Sequence, residues 1–218
     1  MADKPYVPLT DDQVNQFVWL ADKILAGAQQ TGRIPLPAFT VIKHFFPLTA
    51  VELVLIRVRN NCPSVYLIPR KGDDNWEDGY QHAPGMMMTN ADLSFQAKID
   101  QIRMKELGGL TLPYSVSMVG EPWRMNTKNG PQVLVTYATV VSPSTTISGG
   151  KFYPIRALPS LIHQNEAMLL RVTDWLLYRN WGADWPALSE KAFGRFLTAN
   201  HRLKERVRKL GMLPEQYI

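Results

Sequence analysis

The sequence of 218 residues contains a single cysteine, Cys62. An intramolecular disulfide is therefore excluded, and so is a zinc centre built from several cysteines. Apolar runs of about 18 or more residues are also missing, so no membrane-spanning helix is predicted. The first residues, MADKPYVPLTDDQ, show no apolar run behind a basic segment and do not resemble a signal peptide. These absences predict a cytoplasmic protein with no membrane partner.

A strong excess of charge of one sign is likewise absent. Charged residues make up 20% of the sequence and apolar residues 45%, and the formal net charge is +5. This balance is typical of a soluble globular protein. The length suits one well-buried domain with an appendage, or two small domains. The small positive charge favours the approach of an anionic ligand but does not by itself predict nucleic-acid binding.

The segment 82–110, HAPGMMMTNADLSFQAKIDQIRMKELGGL, has the most distinctive pattern in the chain. A Pro-Gly turn and a short loop lead into an amphipathic helix predicted over 92–107. Its apolar residues recur close to helical spacing: Phe95, Ile99, Ile102 and Leu107. Asp92 is the expected N-cap, because its carboxylate can accept hydrogen bonds from the first turn. Gly108 and Gly109 can supply the left-handed residue that ends such a helix.

A strand, a Pro-Gly turn, a loop and a helix in this order resemble the signature segment of the Nudix superfamily, which hydrolyses nucleoside diphosphates linked to another moiety. The family's Nudix box reads Gly, five residues, Glu, seven residues, then Arg-Glu-apolar-x-Glu-Glu-x-Gly-apolar. Anchored at the 84–85 turn, the box aligns Asp92 with its first glutamate, Asp100 with its arginine and Ile102 with its apolar position. The resemblance implies an α/β/α sandwich.

The glutamates that hold the metal ion in this family are replaced in the alignment. Their positions fall on Gln101, Met104 and Lys105, and Glu106 matches only if the helix is shifted by one residue. Magnesium prefers near-octahedral oxygen ligation, and a lysine would repel the cation. Asp92 and Glu106 remain as candidate metal ligands, with Mg²⁺ or Mn²⁺ expected only if the protein is catalytic. The resemblance thus implies a retained scaffold with an eroded metal site.

An N-terminal helix is predicted over 10–28, where Thr10 and Gln13 form a capping box and Gly32 and Pro35 follow the last turn. Its apolar stripe contains seven residues: Val14, Phe17, Val18, Ala21, Ile24, Leu25 and Ala28. This stripe can cover the sheet or mediate dimerisation, and the sequence does not distinguish the two.

Two strands are predicted at 51–59 and 64–70, with a turn at 61–63 and a polar loop after them. The carboxylates of that loop, KGDDNWEDGYQH, are interpreted as solvated. An aromatic residue on a loop beside a cleft can stack on a nucleobase or pack onto the core. The candidate ligand-binding residues are therefore Arg70, Trp76, Tyr80, His82 and Asp92.

Beyond the central helix, 112–121 and 132–141 are predicted as long antiparallel strands joined by an Asn-Gly turn at 129–130. The segment 151–178 resembles the closing part of many Nudix domains, where a strand ends in an aromatic and a proline before a Leu-Pro turn. A helix is then expected over 164–178. The resemblance covers about residues 50–178.

The tail is predicted to be a helix that begins near Asp184 and Pro186 and ends at Gly211 and Pro214. Its expected apolar face contains Phe193, Phe196, Leu197, Leu203, Val207 and Leu210. Its other side is basic: Arg195, His201, Arg202, Lys204, Arg206, Arg208 and Lys209. Packing on the body or on a second subunit is favoured over contact with phosphates, because Glu190 and Glu205 dilute the basic side.

We therefore expect three parts: an N-terminal helical extension at 1–48, a Nudix-like domain with a mixed sheet at 49–180, and a basic helical tail at 181–218. The favoured function is binding of a nucleotide or nucleoside-diphosphate-type ligand without efficient hydrolysis. One alternative is divalent-metal-dependent hydrolysis with non-standard ligands. Another is a ligand-sensing regulator that contacts nucleic acid through the tail. Either terminal helix could form a homodimer.

Overall fold

The computed structural model describes residues 10–31, 38, 48–70, 80–89, 92–127, 130–178 and 188–211. Its helices are α1 (Asp11–Thr31), α2 (Phe95–Glu106), α3 (His163–Tyr178) and α4 (Glu190–Lys209), with a 3-10 turn at Ile155–Ala157. Its strands are β1 (Leu48–Arg59), β2 (Cys62–Pro69), β3 (Gln81–His82), β4 (Gly85–Met87), β5 (Ser117–Met118), β6 (Trp123–Thr127), β7 (Gly130–Val141) and β8 (Lys151–Pro154). Within these ranges no helix is both long and apolar enough to cross a membrane.

The centre of the sheet is β1, a strand rich in β-branched and large apolar residues. It pairs in parallel with β7, from Leu48 opposite Gln132 to Arg57 opposite Val141. It pairs antiparallel with β2 and β4. The strand order is β3-β2-β1-β7-β5, while β8 joins β2, β6 joins β7 and β4 joins β1. Because parallel and antiparallel pairs share this sheet, it is mixed, as predicted.

Alternate residues of β1 face opposite sides of the sheet. One side carries a buried cluster shared with α2, which includes Val51, Leu53, Leu55, Ile99 and Ile102. The other side carries a buried cluster shared with α3 and α4, which includes Val54, Ile56, Met168, Leu169, Phe196 and Leu203. Helices therefore cover both faces, and the predicted fold class, an α/β/α sandwich with additional terminal helices, is confirmed.

The turn between β1 and β2 lies one residue earlier than predicted. Asn60 and Asn61 form it with φ values of 51° and 57°, and Arg59 pairs with Cys62 across it. Two consecutive left-handed residues are the requirement of a type I′ turn, a common two-residue hairpin loop, and asparagine tolerates that conformation. Cys62 and Pro63 consequently belong to β2 instead of the turn.

The strand predicted at 112–121 is wrong for most of its length, since only Ser117–Met118 pairs with β7. The long partner of β7 is β1, and that pairing is parallel. Leu112 and Val116 pack on the α2 side of the sheet and Tyr114 packs on the other side. The side chains therefore alternate between the two sides as they would in a strand, although only Ser117–Met118 belongs to a strand of the sheet. The antiparallel hairpin partner of β7 is β6, and the residues 128–129 between them lie outside the described ranges.

The tail helix α4 packs on the body, and the predicted start at 184–186 lies outside the described residues. Ser189 is its N-cap. The buried stripe consists of Ala192, Phe196, Ala199, Asn200, Leu203 and Val207. Phe193, Leu197 and Leu210, which were predicted on that face, are exposed because the helix is rotated away from them. The side chain of Arg206 pairs with the buried carboxylate of Glu166 at 2.5 Å, which further fixes the helix.

Candidate functional site

The start of α2 differs from the prediction. Ser94 is the N-cap, and its hydroxyl accepts a hydrogen bond from the backbone N–H of Ala97 at 3.1 Å. The Asp92 N-cap prediction is therefore wrong. The Asp92 carboxylate lies two residues before the cap and instead accepts hydrogen bonds from Thr89 Oγ1 and Gln101 Nε2, both at 2.8 Å. It thereby ties the loop before α2 to the middle of the helix.

An ion pair with Lys98 completes this arrangement. The Nζ atom of Lys98 lies 2.6 Å from Asp92 Oδ2, and the two side chains are 3% and 1% exposed. Burial opposes ionisation of Asp92, but hydrogen bonds from Lys98, Thr89 and Gln101 outweigh it and lower the pKa of Asp92 to about 2. Both carboxylate oxygens are occupied by groups of the protein. We propose on this basis that Asp92 holds the loop in place.

The Pro-Gly turn brings three elements together at Gly85. Gly85 lies opposite Glu52 in the β1–β4 pairing, and its N–H donates a 2.8 Å hydrogen bond to Glu106 Oε2 at the end of α2. A Cβ atom at position 85 would lie 2.9 Å from Glu52 Cγ and 3.0 Å from the carbonyl oxygen of Val51. The close approach of β4 to β1 at this turn therefore requires glycine.

Gly85→Ala is accordingly expected to lower the free energy of unfolding by about 1–3 kcal/mol, because the added methyl group must displace Glu52 Cγ and the carbonyl oxygen of Val51. Gly194→Ala, in the second turn of α4, is the matched control, since no described atom lies within 4 Å of its Cβ position. That control should be neutral or stabilising by up to about 1 kcal/mol. Urea denaturation measures both, and equal stabilities of the two variants would contradict the close approach.

Glu52 is the residue of this site that the sequence analysis missed. Its carboxylate is buried, and Oε1 accepts a 3.3 Å hydrogen bond from Asn165 Nδ2 of α3, whose Oδ1 accepts from Ala83 N at 2.6 Å. Within the described residues, its Oε2 is buried and has no hydrogen-bond partner, and the same holds for Oγ1 of Thr136, the β7 residue paired with Glu52. Burial, opposed by the Asn165 bond and assisted by the charge of Glu106, raises the pKa of Glu52 to about 8. The sequence pattern that could have identified Glu52 is its position as the single carboxylate in the largely apolar segment VELVLIRV.

Three of the predicted site residues lie around the same turn. The backbone oxygen of Ala83 lies 2.8 Å from Nδ1 of His82, so that nitrogen carries the hydrogen. Burial lowers the pKa of His82, and the positive charge of Arg70 adds to that effect. Burial raises the pKa of Glu106, while the Gly85 N–H and Arg70 oppose the rise. The charge of Arg70 thus influences the ionisation of both His82 and Glu106.

The remaining ligand-binding candidates have different positions. The backbone oxygen of Tyr80 accepts a 2.8 Å hydrogen bond from the N–H of Arg70, so Tyr80 lies beside Arg70 at the end of β2. Trp76 lies outside the described residues. Asp92 makes its contacts with Thr89, Lys98 and Gln101 on its own segment.

The donor set at α2 does not fit a magnesium ion. Glu106 is hydrogen-bonded to Gly85, Gln101 is bonded to Asp92, and the exposed Lys105 adds a positive charge. Among the described residues, no group of three or more His, Cys, Asp or Glu side chains could hold a metal ion. Octahedral oxygen coordination at this helix would need more carboxylates than the described part of the chain places there.

No family model and no curated protein matches the chain. Solved structures do. The Nudix domain of Shewanella oneidensis NrtR, crystallised with ADP-ribose, matches with a TM-score of 0.48 and 17% identity over 60% of this chain and 89% of that one. Another structure of Shewanella oneidensis NrtR has a TM-score of 0.49 and 14% identity, with coverages of 74% and 84%. A MutT/Nudix family protein from Listeria innocua has a TM-score of 0.47 and 15% identity over 60% of this chain and 95% of that one. These matches are similarities of fold at low sequence identity.

Proposed function

We propose that the protein binds a nucleotide or nucleoside-diphosphate-type ligand beside the Gly85 turn and does not hydrolyse it efficiently. The observation that carries this proposal is the engagement of Glu106, the α2 carboxylate at the turn, by the Gly85 N–H. The box positions that would supply further carboxylates hold Gln101, Met104 and Lys105. Hydrolysis of a diphosphate relies on metal ions to offset its charge, and these residues cannot hold them.

Positive charge for the ligand is available from the protein itself. Arg70 directly follows β2, and its charge acts on both His82 and Glu106. A guanidinium group binds phosphate oxygens with two parallel hydrogen bonds, which is the stronger form of ionic recognition. We propose Arg70 as the phosphate-binding residue, with His82 and Tyr80 beside it.

A thermal-shift screen tests the proposal, with ADP, ADP-ribose and UDP-glucose as probes, each with and without Mg²⁺. ADP-ribose is included because the Shewanella domain was crystallised with it. We expect at least one probe to raise the Tm without metal, since a ligand that binds the native state stabilises it by mass action. Chromatography of the mixture should then return the probe intact.

Arg70→Met should abolish the shift, whereas Arg124→Met, an exposed arginine on β6, should retain it. Cleavage that requires Mg²⁺ would replace the proposal with the hydrolase alternative. If none of the probes shifts the Tm of the wild-type protein, nucleotide binding at this turn is wrong.

A further inference from the structure

The helix α1 has an exposed apolar face. Its start is fixed by its own sequence: Thr10 N donates to Gln13 Oε1 at 2.9 Å, and Gln13 N donates to Thr10 Oγ1 at 3.3 Å. Yet its large apolar side chains are exposed to the following fractions: Val14 43%, Phe17 62%, Val18 52% and Leu20 51%. Contiguous apolar surface of this kind on a soluble protein marks an interaction site.

The spacing of this face is that of a helix–helix seam. In heptad positions a to g, the apolar residues take every a, d, e and g position between 14 and 24: Val14, Phe17, Val18, Leu20, Ala21 and Ile24. The remaining positions are polar apart from Trp19. The ammonium of Lys23 lies 5.7 Å from the centre of the Trp19 ring, on the opposite side of the helix from the seam.

The charge of α1 selects among possible partners. Asp11, Asp12 and Asp22 against the single Lys23 give this helix a net charge of −2. A helix that lies on an anionic membrane needs a basic polar face, and nucleic acid would repel these carboxylates. The exposed fractions show that the described residues of the same chain do not cover the face.

The seam is complementary to itself in antiparallel orientation. Ala21 is the small residue of the seam, with Phe17 before it and Ile24 after it, so an antiparallel pair centred on Ala21 sets the two alanines against each other and lets the helices approach closely. A parallel pair would set Asp11 and Asp12 of both copies against each other. An antiparallel pair separates the two acidic ends by roughly 30 Å, the length of such a helix.

We propose that α1 pairs with α1 of a second copy, antiparallel along this seam, and so makes the protein a two-fold symmetric dimer. Pairing would bury the exposed parts of the seam side chains, Phe17 above all, in an interface at the small end of the range for specific complexes. The same patch serves both copies, as two-fold symmetry requires. This dimer is independent of the ligand-binding proposal.

Sedimentation velocity over a range of concentrations tests the dimer. The wild-type protein should sediment at twice the 24.7 kDa mass of the chain. Phe17→Glu should shift it to the monomer, while Gln16→Glu, on the polar side of α1, should remain dimeric. Circular dichroism checks that both variants stay folded. A wild-type monomer at every concentration, or a folded Phe17→Glu variant that stays dimeric, would overturn the proposal.

Cross-linking tests the orientation, in a Cys62→Ser background that leaves no other thiol. Ala21→Cys should form an intermolecular disulfide on oxidation, since the two central positions face each other. Val14→Cys should not, because its two copies would lie roughly 20 Å apart, beyond disulfide reach. Equal cross-linking at both positions would indicate a parallel pair. Absence of cross-linking at Ala21→Cys would exclude pairing of α1 along this seam. Either result would overturn the proposal.

Discussion

Asp92→Ala is expected to lower the free energy of unfolding by about 3 kcal/mol, the usual cost of leaving one charge of a buried ion pair without its partner. The side chain of Lys98 is 3% exposed, and among the described residues the substitution leaves its ammonium with Gln101 Oε1, at 3.2 Å, as its partner. It also removes the acceptor for Thr89 and Gln101, so the loop before α2 loses its attachment to the helix.

The matched control is Asp100→Ala on the same helix. Asp100 and Arg103 form an ion pair at 3.4 Å, but their side chains are 51% and 34% exposed. Exposed pairs contribute at most about 1 kcal/mol, because water and salt screen them. Chemical denaturation of both variants measures the difference. Equal losses of stability in the two variants would contradict a structural role for Asp92 and reopen its interpretation as a metal ligand.

The misplacement of the N-cap shows a limit of local sequence patterns. Asp92 and Ser94 both have side chains that cap helices, and they lie two residues apart. The choice between them depends on Lys98, whose buried ammonium needs a carboxylate, and Asp92 supplies it. Ser94 is then left to accept from Ala97. The helix itself was predictable from its period, and its end at Gly108 and Gly109 is confirmed by their φ values of 62° and 76°.

The pairing of β1 with β7 could not be read from the sequence for a different reason. Both strands are buried on both faces. The sequence of such a strand is mostly apolar, and its pattern does not indicate which other strand it pairs with. Nearby segments were therefore paired with each other, and the parallel contact between residues some 80 positions apart was missed. Glu52 was overlooked for the same reason, since its importance comes from Gly85, Glu106 and Asn165, which the fold brings to it.

Glu52→Gln is expected to remove a large pH dependence of stability. The pKa of Glu52 rises from its ordinary value of 4.5 to about 8 in the folded protein. Between these two values the folded state holds a proton that the unfolded state has released, so stability is full below pH 4.5 and falls until the pH passes 8. At about 1.4 kcal/mol per pH unit, the loss amounts to roughly 4–5 kcal/mol as an upper bound.

Glutamine imitates the protonated acid at every pH, so the advantage of Glu52→Gln over the wild type should grow from pH 5 to pH 8 and then level off. The groups that face Glu52 are Asn165 from α3, Thr136 from β7 and Glu106 from α2, and Glu106 is the titratable one of these three. Glu121→Gln, an exposed carboxylate, is the control and should follow the wild type. Chemical denaturation from pH 5 to 9 gives the free energy of unfolding of each protein as a function of pH. If the difference between wild type and Glu52→Gln stayed constant over this range, Glu52 would be ionised in the folded protein throughout, which would contradict the prediction.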